Sequence, residues 1–203
     1  MSDTKEQILT TALRLFAKNG YEAVSVSDIA GELGITKGAL YKHYKNKRDI
    51  FDSIVARMTQ SDLKSSQKSG VPAERFDDNP QIYRDISIES VVNFTVSQFV
   101  FWTEDGFAAD FRRMLTIEQY RSAEMAELYG NTIAEGPVEY MEDIFCEMIA
   151  ENVLKNDEPK RLAAEFYSTF FLLVNISDRN CGKTDLIGLL KSCIKNFFDR
   201  YAN

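Results

Sequence analysis

Apolar residues recur along this chain at three- and four-residue intervals, the spacing that lays one stripe along a helix, and no stretch keeps the two-residue alternation of a half-buried strand. Ile8, Leu9, Ala12, Leu13 and Phe16 predict a first helix, opened by Thr4 with Gln7 in the capping-box position and closed by Asn19-Gly20. Val26 to Leu33 predict a second, started by Ser25 with Asp28 as its capping partner and broken by Gly34. Thr36 caps a short third helix whose Ala39, Leu40 and Tyr44 face the first two helices while Lys37, Tyr41, Lys42 and His43 face outward. Asn46 caps a fourth, with Asp49 in its first turn and Ile50, Phe51, Ile54, Val55 and Met58 on one stripe. Ser61 to Gln81 is polar, holds Pro72 and Pro80, and is expected to be a loop.

Helical spacing resumes near Ser87 with Ile88, Val91, Val92, Phe99 and Trp102 and stops at Glu104-Asp105-Gly106. Phe107 to Tyr129 supply further helix, broken around Gln119 to Ser122 and ending before Gly130. Gly136-Pro137 opens another, with Val138, Met141, Phe145, Met148 and Ile149 as its apolar face. Asp157-Glu158-Pro159 opens a penultimate helix and Thr184-Asp185 a last one that reaches Tyr201. The expected fold class is all-α.

Charge changes the picture. The 203 residues carry a net charge of -7, but residues 1–60 hold nine Lys and Arg against seven Asp and Glu, so the acidity belongs to the remainder. The turn and short helix from Leu33 to Arg48 carry five cations (Lys37, Lys42, Lys45, Lys47, Arg48) and no carboxylate. Two short helices joined by a glycine turn make a helix-turn-helix, whose second helix enters the major groove of double-stranded DNA. An acidic body keeps nonspecific adhesion low and leaves one patch able to displace counterions from phosphates. The chain is therefore divided into a three-helix helix-turn-helix domain over residues 1–48, a connecting helix and linker over 49–85, and a helical ligand-binding and dimerisation domain over 86–203.

The last two helices are richer in large apolar groups than a surface hairpin can hide. Phe166, Phe170, Leu186, Leu190, Ile194 and Phe197 are expected to form half of a homodimer interface, with Gly188 admitting a partner backbone, so that two hairpins make a four-helix bundle. The alternative is that they close the core of a single chain. Phe99, Trp102, Phe111, Met114 and Tyr120 are expected to line a cavity for a small apolar or amphipathic effector, with ordinary core packing as the alternative. A regulator whose body binds no inducer and only dimerises or meets a protein partner is the competing reading.

Other chemistry finds little purchase. No apolar run approaches a membrane span, and Met1-Ser2-Asp3-Thr4-Lys5 lacks the core of a signal peptide, so a cytoplasmic protein is expected. Cys146, Cys181 and Cys193 are odd in number and show no CxxC spacing; they read as small core residues rather than zinc ligands or a disulfide framework. His43 is the only histidine and already lies on the DNA face, so neither a metal site, a cofactor nor an enzymatic role is expected. Cys181-Gly182-Lys183-Thr184 mimics the end of a phosphate-binding loop, but Ser177 stands where its first glycine belongs and no strand precedes it.

The first 60 residues resemble the TetR family of bacterial transcriptional regulators. The resemblance is carried by Phe16-Ala17-Lys18-Asn19-Gly20-Tyr21, Ser25-Val26-Ser27-Asp28-Ile29-Ala30, Gly34-Ile35-Thr36-Lys37-Gly38-Ala39-Leu40-Tyr41-Lys42-His43-Tyr44 and Asn46-Lys47-Arg48-Asp49-Ile50-Phe51. It implies an all-α homodimer that represses transcription at a palindromic operator and lets go when a small molecule enters the body. It also implies that Ser25 and Ser27 contact phosphate or a groove edge. Thr36, Lys37, Gly38, Ala39, Tyr41, Lys42 and His43 would form the reading surface, and Lys47 would bind phosphate. The chemistry suits these roles: Lys37 in the first turn can donate to guanine O6 and N7, Gly38 admits the duplex, and Tyr41 and Lys47 suit phosphate positioning. Lys42 suits either role. Ala39 can touch a thymine methyl or pack against the second helix.

Overall fold

Short polar side chains three residues ahead of an orphan amide set where several helices of this chain begin. The computed structural model describes residues 3–67, 71–72, 83, 86–179 and 183–203. Among them are ten α-helices and, outside these, one isolated bridge between Leu154 and Ala202. The first four are α1 (Asp3–Asn19), α2 (Val26–Glu32), α3 (Lys37–Leu40) and α4 (Lys47–Gln67). Then come α5 (Ile88–Glu104), α6 (Gly106–Glu118), α7 (Ala123–Ile133), α8 (Glu135–Ala150), α9 (Pro159–Ser177) and α10 (Lys183–Tyr201). Ser25 Oγ accepts from the Asp28 amide at 3.1 Å, Thr36 Oγ1 from Ala39 at 3.1 Å, Asn46 Oδ1 from Asp49 at 2.8 Å and Asp105 Oδ1 from Ala108 at 2.9 Å. Each satisfies a donor that the first helical turn leaves unpaired. Gly20 (φ +85°) and Gly34 (φ +65°) end α1 and the turn after α2 in the left-handed region, where a side chain is strained.

Several boundaries differ from those the pattern predicts. Helix α1 begins at Asp3, so Thr4 lies within its first turn rather than capping it. Helix α4 continues through Ser61 to Gln67, because Asp62-Leu63-Lys64-Ser65-Ser66-Gln67 contains no breaker before Pro72. Helix α7 passes through Gly130 to Ile133, and α8 opens at Glu135 with Pro137 in its first turn. A Cβ on Gly136 would lie 2.0 Å from the Asn131 carbonyl oxygen, so this tight α7–α8 junction requires glycine. Pro80, Cys181 and Gly182 lie outside the described residues.

By packing, the chain forms two compact units: residues 1–62 with 104–129, and residues 63–103 with 130–203. Chain order alone assigns 104–129 to the body; their contacts place them with the amino-terminal helices. In the first unit α1 packs on α6 and α2, and Ile8, Leu13, Phe16, Ile29, Leu40, Ile50, Phe51, Phe111 and Met114 are buried. The Arg57 guanidinium lies 3.9 Å from the centroid of Phe107 and pairs with Glu6, tying α4 to α6 and α1.

In the second unit α9 packs against α8 and α10. Its core is aromatic: Phe145 stacks on Phe197 at 5.5 Å, and Phe166 meets both edge-on at 5.4 and 5.1 Å. Phe166, Phe170, Leu186, Leu190, Ile194 and Phe197, expected at a dimer interface, are all buried within the single chain. The large apolar groups exposed on α9 and α10 are instead Phe171, Leu172 and Leu189. Helical spacing identifies two apolar stripes on these helices, and the larger one turns inward. The cysteine reading also needs correction. Cys146 is exposed, because Met141, Ile144, Phe145 and Met148 define the buried face of α8 and position 146 points away; Cys193 is half-buried.

Candidate nucleic-acid interface

The cap on Thr36 holds α3 so that Lys37, Gly38, Tyr41 and Lys42 are exposed while Leu40 and Tyr44 are buried. Ala39 and His43 are half-buried at the edge of this surface. A Cβ at Gly38 would meet nothing of the protein nearer than Thr36 Oγ1 at 4.0 Å, so the space over the first turn is open to an approaching backbone. Tyr44 anchors the turn from beneath: its hydroxyl donates to the Lys5 carbonyl at 3.3 Å and the Lys5 ammonium lies 5.2 Å from its ring centroid. Burial raises the Tyr44 phenol above its ordinary value, so it stays neutral.

The two serines of α2 are exposed but not equivalent. Ser25 donates through Oγ to Asp28 Oδ2 at 2.7 Å and through its amide to the same oxygen at 2.8 Å, completing a capping box. Those two bonds hold the Asp28 carboxyl below its ordinary value. Ser25 thus spends its donors on the helix start in this conformation, whereas Ser27 is exposed one turn-face away.

Cation count overstates the groove-facing charge. Of the five cations between Leu33 and Arg48, Lys37, Lys42 and Lys45 are exposed, while the other two are engaged with the protein. Lys47 Nζ donates to the Tyr21 carbonyl at 2.9 Å, lies 4.2 Å from the Tyr21 ring centroid and sits 3.9 Å from Glu22 Oε2. Arg48 makes a two-point pair with Glu124 at the start of α7 and a third bond to Asp52 Oδ1 at 2.6 Å. Neither partner is visible in the local pattern, since Tyr21 and Glu124 stand 26 and 76 residues away. Glu118, nearly fully buried at the end of α6, is a further residue the pattern does not reveal: its Oε1 accepts from the Tyr21 amide at 2.9 Å.

The five residues expected around an effector cavity fall in both packing units. Phe99 and Trp102 are buried in one unit and Phe111 and Met114 in the other. Tyr120 is 87% exposed, because it falls in the turn between α6 and α7. A groove of about 170 Å³ lies instead between α9 and α10, floored by Phe166, Ile194 and Phe197 and edged by Glu165, Cys193 and Arg200. That is below the few hundred Å³ that small-molecule sites ordinarily offer. Among the described residues no group of His, Cys, Asp and Glu is arranged to hold a metal ion, and no helix is long and apolar enough to cross a membrane.

The model of bacterial regulatory proteins of the tetR family matches residues 8–54, the span from α1 into α4. An uncharacterized HTH-type transcriptional regulator of Bacillus subtilis, YerO, is 51% identical over 50 residues, which cover 25% of this chain and 17% of that protein. The alignments to curated relatives thus span only about a quarter or less of their length. Among solved structures, the ketosteroid transcriptional regulator KstR2 of Mycobacterium tuberculosis matches with a TM-score of 0.69 at 15% identity, over 100% of this chain and 97% of that one. SmeT, the repressor of the Stenotrophomonas maltophilia multidrug efflux pump SmeDEF, matches with a TM-score of 0.65 at 19% identity, over 100% and 92%; SmeT has also been solved as a triclosan complex. At such identities the structural likeness speaks for the fold alone, which is helical over the described residues. It is the head, with its capped α3 and matched span, that is similar to the DNA-binding region of the tetR family of bacterial regulatory proteins.

Proposed function

We propose that this regulator binds a palindromic DNA site as a homodimer, represses transcription there, and is released by a small apolar or amphipathic molecule. The observation that carries the reading is the exposed surface of Lys37, Gly38, Tyr41 and Lys42 on a helix whose other face is buried. One such helix reads only a few base pairs, so a two-fold pair on two half-sites is the economical arrangement. Phe171, Leu172 and Leu189, exposed on α9 and α10, supply an apolar surface for the second copy.

Support for an effector comes from α5. Its buried side chains include Phe99 and Trp102 together with Thr95 and Gln98, aromatic groups beside polar ones. That composition suits a ligand with one polar end. SmeT, a repressor of similar fold, forms a complex with triclosan.

Selection from a random DNA pool with the purified chain tests the proposal. A palindromic consensus with two half-sites is expected; recovery of no preferred sequence would overturn it. A thermal-shift screen of amphipathic metabolites is expected to find a compound that raises the melting temperature and releases the selected DNA.

A further inference from the structure

The backbone of one residue in the head is held at both its amide and its carbonyl by side chains of two different helices. The Tyr21 amide donates to Glu118 of α6 at 2.9 Å, and the Tyr21 carbonyl accepts from Lys47 of α4 at 2.9 Å. Glu118 is a poor place for a carboxylate on solvation grounds, since its side chain is 2% exposed, and it is compensated by this amide and by Arg121 Nε at 3.4 Å. Gly20 completes the fit: a Cβ there would lie 2.7 Å from Glu118 Oε1, so the approach of α6 to this turn depends on glycine. The Tyr21 ring is wedged between Phe16 and Phe51 at 5.1 and 5.2 Å, with the Lys47 ammonium above it.

The position of this residue gives it leverage on the reading helix. Tyr21 lies in the turn between α1 and α2, and Lys47 is the first residue of α4, after the turn that follows α3. Their bond therefore closes the helix-turn-helix into a ring, with α2 and α3 inside it. Glu118 fastens that ring to α6, which follows α5 after the single residue Asp105. Glu118 on α6 and Lys47 on α4 thus hold the same residue, one by its amide and the other by its carbonyl.

We propose that Glu118 and Lys47 are positioning residues that hold the backbone of Tyr21 between α6 and α4, and that this hold sets the affinity of the head for DNA without either side chain touching DNA. The assignment rests on the DNA-binding reading above and departs from it for Lys47, which is there a phosphate contact. Two predictions separate the roles. A phosphate contact contributes to counterion release, so its loss flattens the salt dependence of binding; a positioning residue weakens binding with the dependence intact.

The experiment uses the full chain and the DNA site recovered by selection. Lys47→Met keeps the apolar stem and removes the ammonium; Glu118→Leu removes the acceptor; Glu118→Gln keeps an acceptor oxygen. Lys47→Met and Glu118→Leu are each expected to weaken binding about tenfold with an unchanged slope of log affinity against log salt. The double variant is expected to be no weaker than the worse single one, since both act on the backbone of one residue. Glu118→Gln is expected within about twofold of the parent, because the Tyr21 amide keeps its acceptor. A slope reduced by about 0.9 in Lys47→Met would make it a phosphate contact and overturn the proposal, as would additive losses in the double variant.

Hydrogen exchange at the Tyr21 amide supplies a readout on the free protein. It is expected about tenfold faster in Glu118→Leu and faster in Lys47→Met, and unchanged exchange in both would overturn the hold itself. If the parent chain bound no DNA, the function proposed above would fail and with it the link to affinity, while exchange would still decide the hold. Should Glu118→Leu not fold, Lys47→Met carries the decision through its slope and its exchange.

Discussion

Arg48 and Glu124 meet fork to fork, with Nη1 and Nη2 donating to the two carboxylate oxygens at 2.9 and 2.5 Å. The pair joins the first turns of α4 and α7, and its hydrogen bonds hold the Glu124 carboxyl below its ordinary value. Both side chains are about half exposed, so solvent and salt screen the attraction. Glu124→Gln is expected to lower the melting temperature slightly at about 0.01 M salt and not measurably at about 1 M, where the screening length falls from about 30 to about 3 Å. Thermal denaturation across that salt range checks it; an equal loss at both ends would mean that packing, not charge, is at stake.

The two apolar stripes of the terminal hairpin should respond differently to charge. Leu172→Glu or Leu189→Glu, on the exposed face, is expected to leave a folded protein that sediments as a monomer. Phe197→Asp buries a carboxylate among Phe145, Phe166 and Phe198 and is expected to cost several kcal/mol of folding stability. Sedimentation velocity and circular dichroism on the three variants separate the outcomes, and a dimeric Leu172→Glu/Leu189→Glu chain would move the interface elsewhere.

Acid should loosen the start of α2. The Asp28 carboxyl is held below its ordinary value chiefly by the Ser25 hydroxyl and then by the Ser25 amide. A group whose folded value is depressed stabilises the fold fully above its unfolded value, and that contribution disappears as pH falls through the folded one. Protection of the Ser25 amide is therefore expected to be constant at neutral pH and to fall on acidification through and below the ordinary aspartate range. Asp28→Asn should remove this pH response; a response that persists in the variant would assign it to another group.

On the proposed function, base reading falls to Lys37. Its place in the first turn of α3, exposed beside the open surface of Gly38, suits donation to a base edge. Lys37→Ala is expected to cost about 1–3 kcal/mol of specific binding and to relax preference at one position in each half-site. Repeating the DNA selection with the variant checks this, and an unaltered consensus with uniformly weaker binding would make Lys37 a phosphate contact.

Features encoded within three or four residues were legible in the chain itself. Ser25 with Asp28, Thr36 with Ala39 and Asn46 with Asp49 each announce a helix start, and the structure forms all three caps. The fold class followed from the same local signals. What the chain could not disclose was which partner a group chooses when candidates are far away. Lys47 and Arg48 look like groove cations until Tyr21 and Glu124 are brought beside them. Glu118 looks like a surface carboxylate until α6 packs on α1. On α10, Leu186, Leu190, Ile194 and Phe197 compete with Leu189 for the inside, and periodicity ranks neither stripe first; packing against Phe145 and Phe166 decides. Tyr120 was aromatic enough for a cavity, but its place in a turn put it in solvent.

The unbroken run of α4 from Lys47 to Gln67 makes it a stiff lever. At 1.5 Å per residue, 21 residues span roughly 30 Å, so a pivot of about 10° at one end sweeps the other through about 5 Å. Successive base pairs are about 3.4 Å apart along one strand, which makes that sweep larger than one step of the duplex. A chain that stopped its helix at Ser61, as the polar sequence there suggests, would lose about a quarter of that throw; the six residues beyond it act as mechanical advantage.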